Sequence, residues 1–212
     1  MNGNTAVPVD AAAVRSVEAS LRSVLSPPKN AQLTAELEQL VSDPAALASS
    51  FPLAGRSFGR EALPGRAGWT VDDAVRLLLL SRFPETGGRL VEEVSVRYRH
   101  GDAGERRGVL RALPFLPIGT GGLPLVEDAL RTNDPRLLAA ALGPYAQVRL
   151  DQHQWRHAVL KCLFLGVPLT VVAGLSERAD PELALMAHSF ADERRAAGRP
   201  VPADTWLITS HL

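Results

Sequence analysis

Nowhere along this 212-residue chain do apolar and polar residues alternate with period two over an extended stretch. What recurs instead is apolar residues three and four positions apart, in series that open on a capping residue and close on Pro or Gly. Such a pattern gives a helix a continuous stripe to bury and gives a strand no single face. An all-α fold is the expectation. The inventory agrees: 46% of residues are hydrophobic but only 5% aromatic. The core must therefore be built from Leu, Val and Ala, which suits helix packing better than a sheet sandwich.

Residues 1–9 are small and polar and read as a flexible N-terminus; residues 10–212 read as one helical domain, since a chain of this length can close a single core. Asp10 is placed to cap a helix carrying Val14, Val17, Leu21 and Leu25, stopped at Ser26-Pro27-Pro28. A second helix is expected after Asn30, burying Leu33, Leu37, Leu40 and Val41. Asp43-Pro44 opens a short segment ending near Phe51-Pro52, and the Gly, Arg and Pro content from Leu53 to Gly68 predicts a long connection.

Thr70, with Asp73 three positions on, resembles a capping box, and Leu77-Leu78-Leu79-Leu80 is apolar nearly all round, which marks a central helix. A further helix carries Leu90, Val91, Val94 and Tyr98 to Gly101. Asp102 caps the next, and Pro114 to Pro124 breaks the rhythm. A short helix around Leu125 to Leu130 follows. Asp134-Pro135, Asp151 and Asp180-Pro181 open three more, the last running to about Gly198. The starts at Thr70, Asp102 and Asp134 lie 32 residues apart, a spacing that suggests stacked antiparallel helix pairs in a HEAT-like α-α array.

Lys plus Arg and Asp plus Glu each number 23, so there is no global attraction for a polyanion and nucleic acid is not an expected partner. One cysteine, Cys162, excludes an intramolecular disulfide and sits in what reads as the buried face of a helix. No secretory leader and no membrane-spanning stretch is apparent, and a cytoplasmic protein is expected. Gly119-Thr120-Gly121-Gly122 lacks the Lys-Ser/Thr ending of a phosphate loop, and neither a Gly-x-Ser-x-Gly elbow nor a His-Glu-x-x-His helix is present. No cofactor is expected.

The polar residues that invite a chemical reading lie in the C-terminal third. His153 and His157, four apart, suit either a metal-ligand pair or half-exposed surface histidines. His157, His188 and Asp192 have the composition of a two-histidine, one-carboxylate site if their helices bring them together. Lys161 lies among apolar residues, either snorkelling outward or bordering a cavity. Asp180 and Glu182 suit a helix N-terminus, whereas Arg178, just before it, opposes the dipole unless it pairs with an acid or a ligand. Arg194, Arg195 and Arg199 form a small basic edge.

Trp155-Arg156, Leu160 to Leu169 (LKCLFLGVPL), Gly174-Leu175, Arg178 to Ala184 (RADPELA), Glu193-Arg194 and Ala197-Gly198-Arg199 together resemble the EboA family, most specifically over residues 151–199. Where the family commonly has Asn, this chain has Asp180; where it commonly brings a His before the Glu, this chain has Asp192. The resemblance implies small bacterial proteins encoded beside a membrane prenyltransferase and enzymes resembling hydrolases and sugar isomerases. It further implies participation in making or moving a small isoprenoid or glycosylated metabolite.

The expected function is an accessory or scaffold protein, with capacity to bind a small apolar or glycosylated metabolite, in a bacterial secondary-metabolite pathway. Its partners would be proteins of the same pathway, a membrane prenyltransferase included, with the protein at most peripheral at the inner face of the membrane. The alternative is an enzyme acting on an isoprenoid or sugar-like metabolite between the two long C-terminal helices. The candidate ligand or partner residues are Lys161, Arg178, Asp180, Glu182, His188, Asp192, Glu193 and Arg194. The metal candidates are His157, His188 and Asp192.

Overall fold

A computed structural model describes residues 11–209; the expected flexible residues 1–9 and the Asp10 cap lie outside them. The chain is all-α, with thirteen α-helices and no strand among the described residues. Two compact units divide it, Met1–Leu125 and Val126–Leu212. No helix among the described residues is long and apolar enough to cross a membrane.

In the first unit, α1 (Ala11–Val24) and α2 (Pro27–Ser42) bury Val17 and Leu21, then Leu33, Leu37 and Leu40. Two sequence expectations fail here. The second helix begins at Pro27 rather than after Asn30, because prolines at its first two positions have no N–H to lose there. Val41 is exposed rather than buried. Asp43 accepts a bond from the Ala45 N–H and opens a 3-10 turn. It leads into α3 (Leu47–Ser57), which runs through Pro52 instead of ending at it. Phe51, Ala54 and Phe58 are all fully buried, so packing along one side of the helix outweighs the hydrogen bond that Pro52 withholds.

The connection after α3 is correspondingly shorter than residues 53–68, and it is pinned. The Leu63 N–H donates to the Trp69 carbonyl at 2.9 Å and the Val71 N–H to the Glu61 carbonyl at 3.0 Å, with Leu63 buried beneath them. Next comes α4 (Val71–Ser81), whose residues from Val71 to Leu80 are all buried. It packs against α1, α2, α3 and the later α6, the central position that the run of four leucines predicts. The Thr70 N–H donates to the Asp73 side chain at 3.2 Å and the Thr70 side chain accepts in turn from the Asp73 N–H, which is the expected capping box.

Then α5 (Gly87–His100) buries Leu90, Val94 and Tyr98. Asp102 caps α6 (Ala103–Ala112) through the Glu105 N–H at 2.8 Å. Gly108 of α6 lies against α4: a Cβ there would come within 2.7 Å of Arg76 Cδ, so glycine permits the close approach of the two helices.

The helix α7 (Leu123–Arg131) follows, and its residues from Val126 onward belong to the second unit. There, Asp134 caps α8 (Pro135–Ala141), and Gly143-Pro144 stops it but also opens α9 (Pro144–Arg149), a short helix the sequence reading does not anticipate. The expected 32-residue spacing of helix starts is observed at Val71, Ala103 and Pro135, in helices of 11, 10 and 7 residues. Asp151 caps α10 (Gln152–Leu165), which buries Trp155, Ala158, Val159, Cys162 and Leu163 and ends at a left-handed Gly166. After the brief α11 (Leu175–Arg178) come α12 (Pro181–Ala196) and α13 (Thr205–Thr209), which pack on each other.

Candidate functional site

Three polar assemblies are built on these helices, and their chemistry differs. The first lies in the first unit, where Asp72 and Asp73 of α4 meet Arg76 of the same helix and Arg107 and Arg111 of α6. The Asp72–Arg76 pair closes at 2.5 Å, and both residues are 1% exposed. Arg107 donates to both oxygens of Asp73 at 2.9 and 3.1 Å and to the Thr70 hydroxyl at 2.7 Å. Arg111 lies 3.4 Å from Asp73 and stacks over Trp69. Burial pushes the Asp73 carboxyl up despite the cations of Arg107 and Arg111, and burial pulls the Arg111 guanidinium down. Every charge here faces an opposite one, so the cluster fastens α4 to α6. None of its members except Asp73, read only as a cap, is singled out by the sequence. The signal available was Asp72 and Arg76 at helical spacing within an otherwise apolar segment.

The second assembly ties helix ends in the second unit. Asp180 accepts the Leu183 N–H at 3.0 Å as the cap of α12, and the Arg156 guanidinium grips both its oxygens at 2.6 to 3.0 Å. Arg156 also reaches Glu182 at 2.5 Å. The bonds from Arg156, with those from the Leu183 N–H and Gln152, hold the Asp180 carboxyl down at about 2.

Arg178 corrects the sequence reading. It is no misplaced cation at the start of α12. Its guanidinium donates to the carbonyls of Ala146, Gln147 and Leu150 at 2.9 to 3.1 Å, and to the Gln152 side chain at 3.0 and 3.1 Å. It also stacks 4.8 Å over the buried Trp155 ring. These carbonyls lie at the C-terminal end of α9, where a cation favours the dipole. The local sequence conceals this because the helix that Arg178 closes is distant in sequence.

The remaining candidates have partners of their own. Asp192 pairs with Arg195 at 2.6 Å on the exposed side of α12. Arg194 donates to the Pro200 carbonyl at 2.7 Å and lies over Phe190. Glu193 is exposed and His188 half-buried. Lys161, Arg178, Glu182 and Asp192 therefore engage different elements rather than one cleft. Among the described residues no group of three or more His, Cys, Asp or Glu side chains is placed to hold a metal, so His157, His188 and Asp192 do not assemble into one. The Cys162 thiol is buried and pushed up to about 12 by desolvation, which leaves it no nucleophilic thiolate near neutral pH.

The third assembly is a groove of about 340 Å³ between α7 and α10. On the α10 side, His153, His157 and Lys161 follow one another at four-residue intervals, with the two imidazole rings edge to face at 4.5 Å between centroids. Lys161 donates to the Leu130 carbonyl at 2.8 Å, closing the C-terminus of α7. On the α7 side stand Glu127, which accepts from Gln154 at 3.1 Å, and Arg131, which reaches Asp128 at 3.3 Å. Leu130 and Ala158 supply the apolar lining. Of the residues singled out in the sequence, the groove gathers His153, His157 and Lys161; Glu127 and Arg131 are additions that sequence reasoning misses, because only the packing of α7 on α10 brings them there.

A family model described as metabolite traffic protein EboA matches residues 60–210. The match takes in the buried cluster as well as the groove, and reaches well N-terminal of the residues that carry the sequence resemblance. No curated protein and no solved structure matches.

Proposed function

The chain belongs to the EboA family, and from that premise we propose that it serves metabolite traffic as a noncatalytic accessory that binds a small metabolite in the α7–α10 groove. What supports this reading is the division of labour among its polar residues. Arg156, Arg178, Asp180 and Glu182 are spent on helix ends and on one another. The imidazoles of His153 and His157 instead line an open groove whose size falls within the usual range for small-molecule sites. Such a groove suits holding a ligand, since Leu130 and Ala158 line it together with polar groups able to fix an orientation.

Within this proposal the ligand is an apolar or glycosylated product of a bacterial secondary-metabolite pathway. The partners are proteins of that pathway, a membrane prenyltransferase among them, and the protein works in the cytoplasm or at the inner face of the membrane. The test is gentle purification of the tagged protein from its native host, followed by mass spectrometry of whatever is released on denaturation. A stoichiometric small metabolite, lost in the folded His157→Gln variant, is the expected result. Pathway enzymes recovered with no metabolite at stoichiometric level would overturn the carrier reading in favour of a scaffold.

A further inference from the structure

The order of donors along α10 bears on the ligand of the proposed carrier role, and points to a charged class rather than an uncharged apolar or glycosylated one. His153, His157 and Lys161 recur at the i, i+4, i+8 positions of one helix face, so their side chains stand one above another along the groove wall. Arg131 faces them from α7. Two imidazoles, an ammonium and a guanidinium thus border one groove, against a single acidic lining residue, Glu127, whose Oε1 already accepts the Gln154 side-chain amide.

The Lys161 ammonium commits one of its three N–H donors to the Leu130 carbonyl. That bond anchors the Nζ atom at the groove edge. Arg131 is 71% exposed, and its contact with Asp128 is a surface pair three residues along the same helix, easily exchanged for a bound anion. Leu130 and Ala158 line the same groove.

We infer that the groove takes a small amphiphilic oxyanion, a metabolite bearing a phosphate or carboxylate, with its charged end at Lys161 and Arg131 and its apolar part along Leu130 and Ala158. His153 and His157 donate to the same end or to neighbouring polar atoms. A transition metal fits less well. The histidine pair is flanked by two cations, and no third ligand is placed to complete its coordination among the described residues. Charge-assisted bonds from Lys and Arg to an oxyanion are the stronger class of hydrogen bond, so the anionic end should dominate affinity.

The test uses the full chain and three defined probes of equal chain length: hexyl phosphate, hexanoate and the neutral hexanol. Titration is followed by the imidazole ring-proton NMR signals, with those of His153 and His157 identified from the His153→Gln and His157→Gln variants. Either anion should shift both signals saturably, about tenfold more tightly than hexanol. The tighter anion names the head group. Lys161→Gln should weaken anion binding about tenfold and Lys161→Arg should restore most of it.

If Lys161→Gln does not fold, Arg131→Gln makes the same test from an exposed position. Hexanol binding as tightly as the anions would overturn the inference and leave the carrier reading standing. An anion affinity unchanged in both charge variants would overturn it as well, as would the absence of any shift of these two signals. The carrier reading itself is judged separately, by the metabolite that copurifies from the host.

Discussion

The two charged networks of this protein contain the same chemistry in different surroundings. In the first unit Asp72, Asp73 and Arg76 are at most 1% exposed, locked between α4 and α6. In the second unit the Arg156 and Asp180 side chains are 17% and 27% exposed, and Glu182 is 59% exposed. Removing a charge from water costs several kcal/mol in the first setting and little in the second. The buried network is therefore stringent: each partner is indispensable to the others even where the network as a whole adds little net stability. The exposed one is permissive, able to lose a member because water replaces it.

The largest effect expected from this contrast is at Arg76. Arg76→Ala leaves Asp72 buried without its 2.5 Å partner and should cost about 3–5 kcal/mol, read as a lowered midpoint in urea. The double variant Asp72→Leu with Arg76→Met should recover most of that loss. If the single variant costs under about 1 kcal/mol, the cluster is hydrated and the contrast collapses.

Arg178 comes next. It is half-buried and donates to three carbonyls and to Gln152, so Arg178→Ala should cost about 2–3 kcal/mol, the scale of hydrogen bonds to a charged group. Arg178→Lys should recover less than half, because an ammonium reproduces neither the planar fork nor the stacking on Trp155. Full recovery by lysine in thermal denaturation would show that charge alone closes α9.

A smaller and pH-dependent effect is expected at Asp180. Its carboxyl is held at about 2, below the ordinary 3.8. The stability it contributes is fully present above the ordinary value, and is lost as pH falls from there through 2. Solvent screening limits this to about 1 kcal/mol. Asp180→Asn should therefore melt below the parent at pH 7 and level with it at the most acidic pH where both still fold. A gap that persists under those conditions would assign the effect to the N-cap geometry instead of the charge. The smallest effect is at Asp192, whose pair with Arg195 is on the exposed side of α12. Asp192→Ala should leave the melting curve unchanged within about 0.5 kcal/mol, and a larger loss would mean that the face is covered by something.

These differences were unequally legible beforehand. Helix starts read well wherever a capping residue made a bond to a backbone N–H close by in sequence, as Asp102, Asp134, Asp151 and Asp180 do. The reading fails at Pro52, which is no stop but is carried through α3 by packing, whereas at Pro27 and Pro144 it finds the stop and misses the helix that each proline also opens. At the groove, the His153–His157 pair and Lys161 were visible as spacing. Arg131 and Glu127 were not, because they lie on another helix.

By itself the sequence determined the helical class, the burial of the Leu77 to Leu80 run and the chain's family resemblance, because all three are written in residues near one another along the chain. Which charges are buried, which helix end Arg178 closes and which donors face one groove were decided only by tertiary packing. Those outcomes depend on partners 25 or more residues away, as Phe51 for Arg76, Leu130 for Lys161 and Gln147 for Arg178 illustrate. No local pattern encodes the direction from which such a partner arrives.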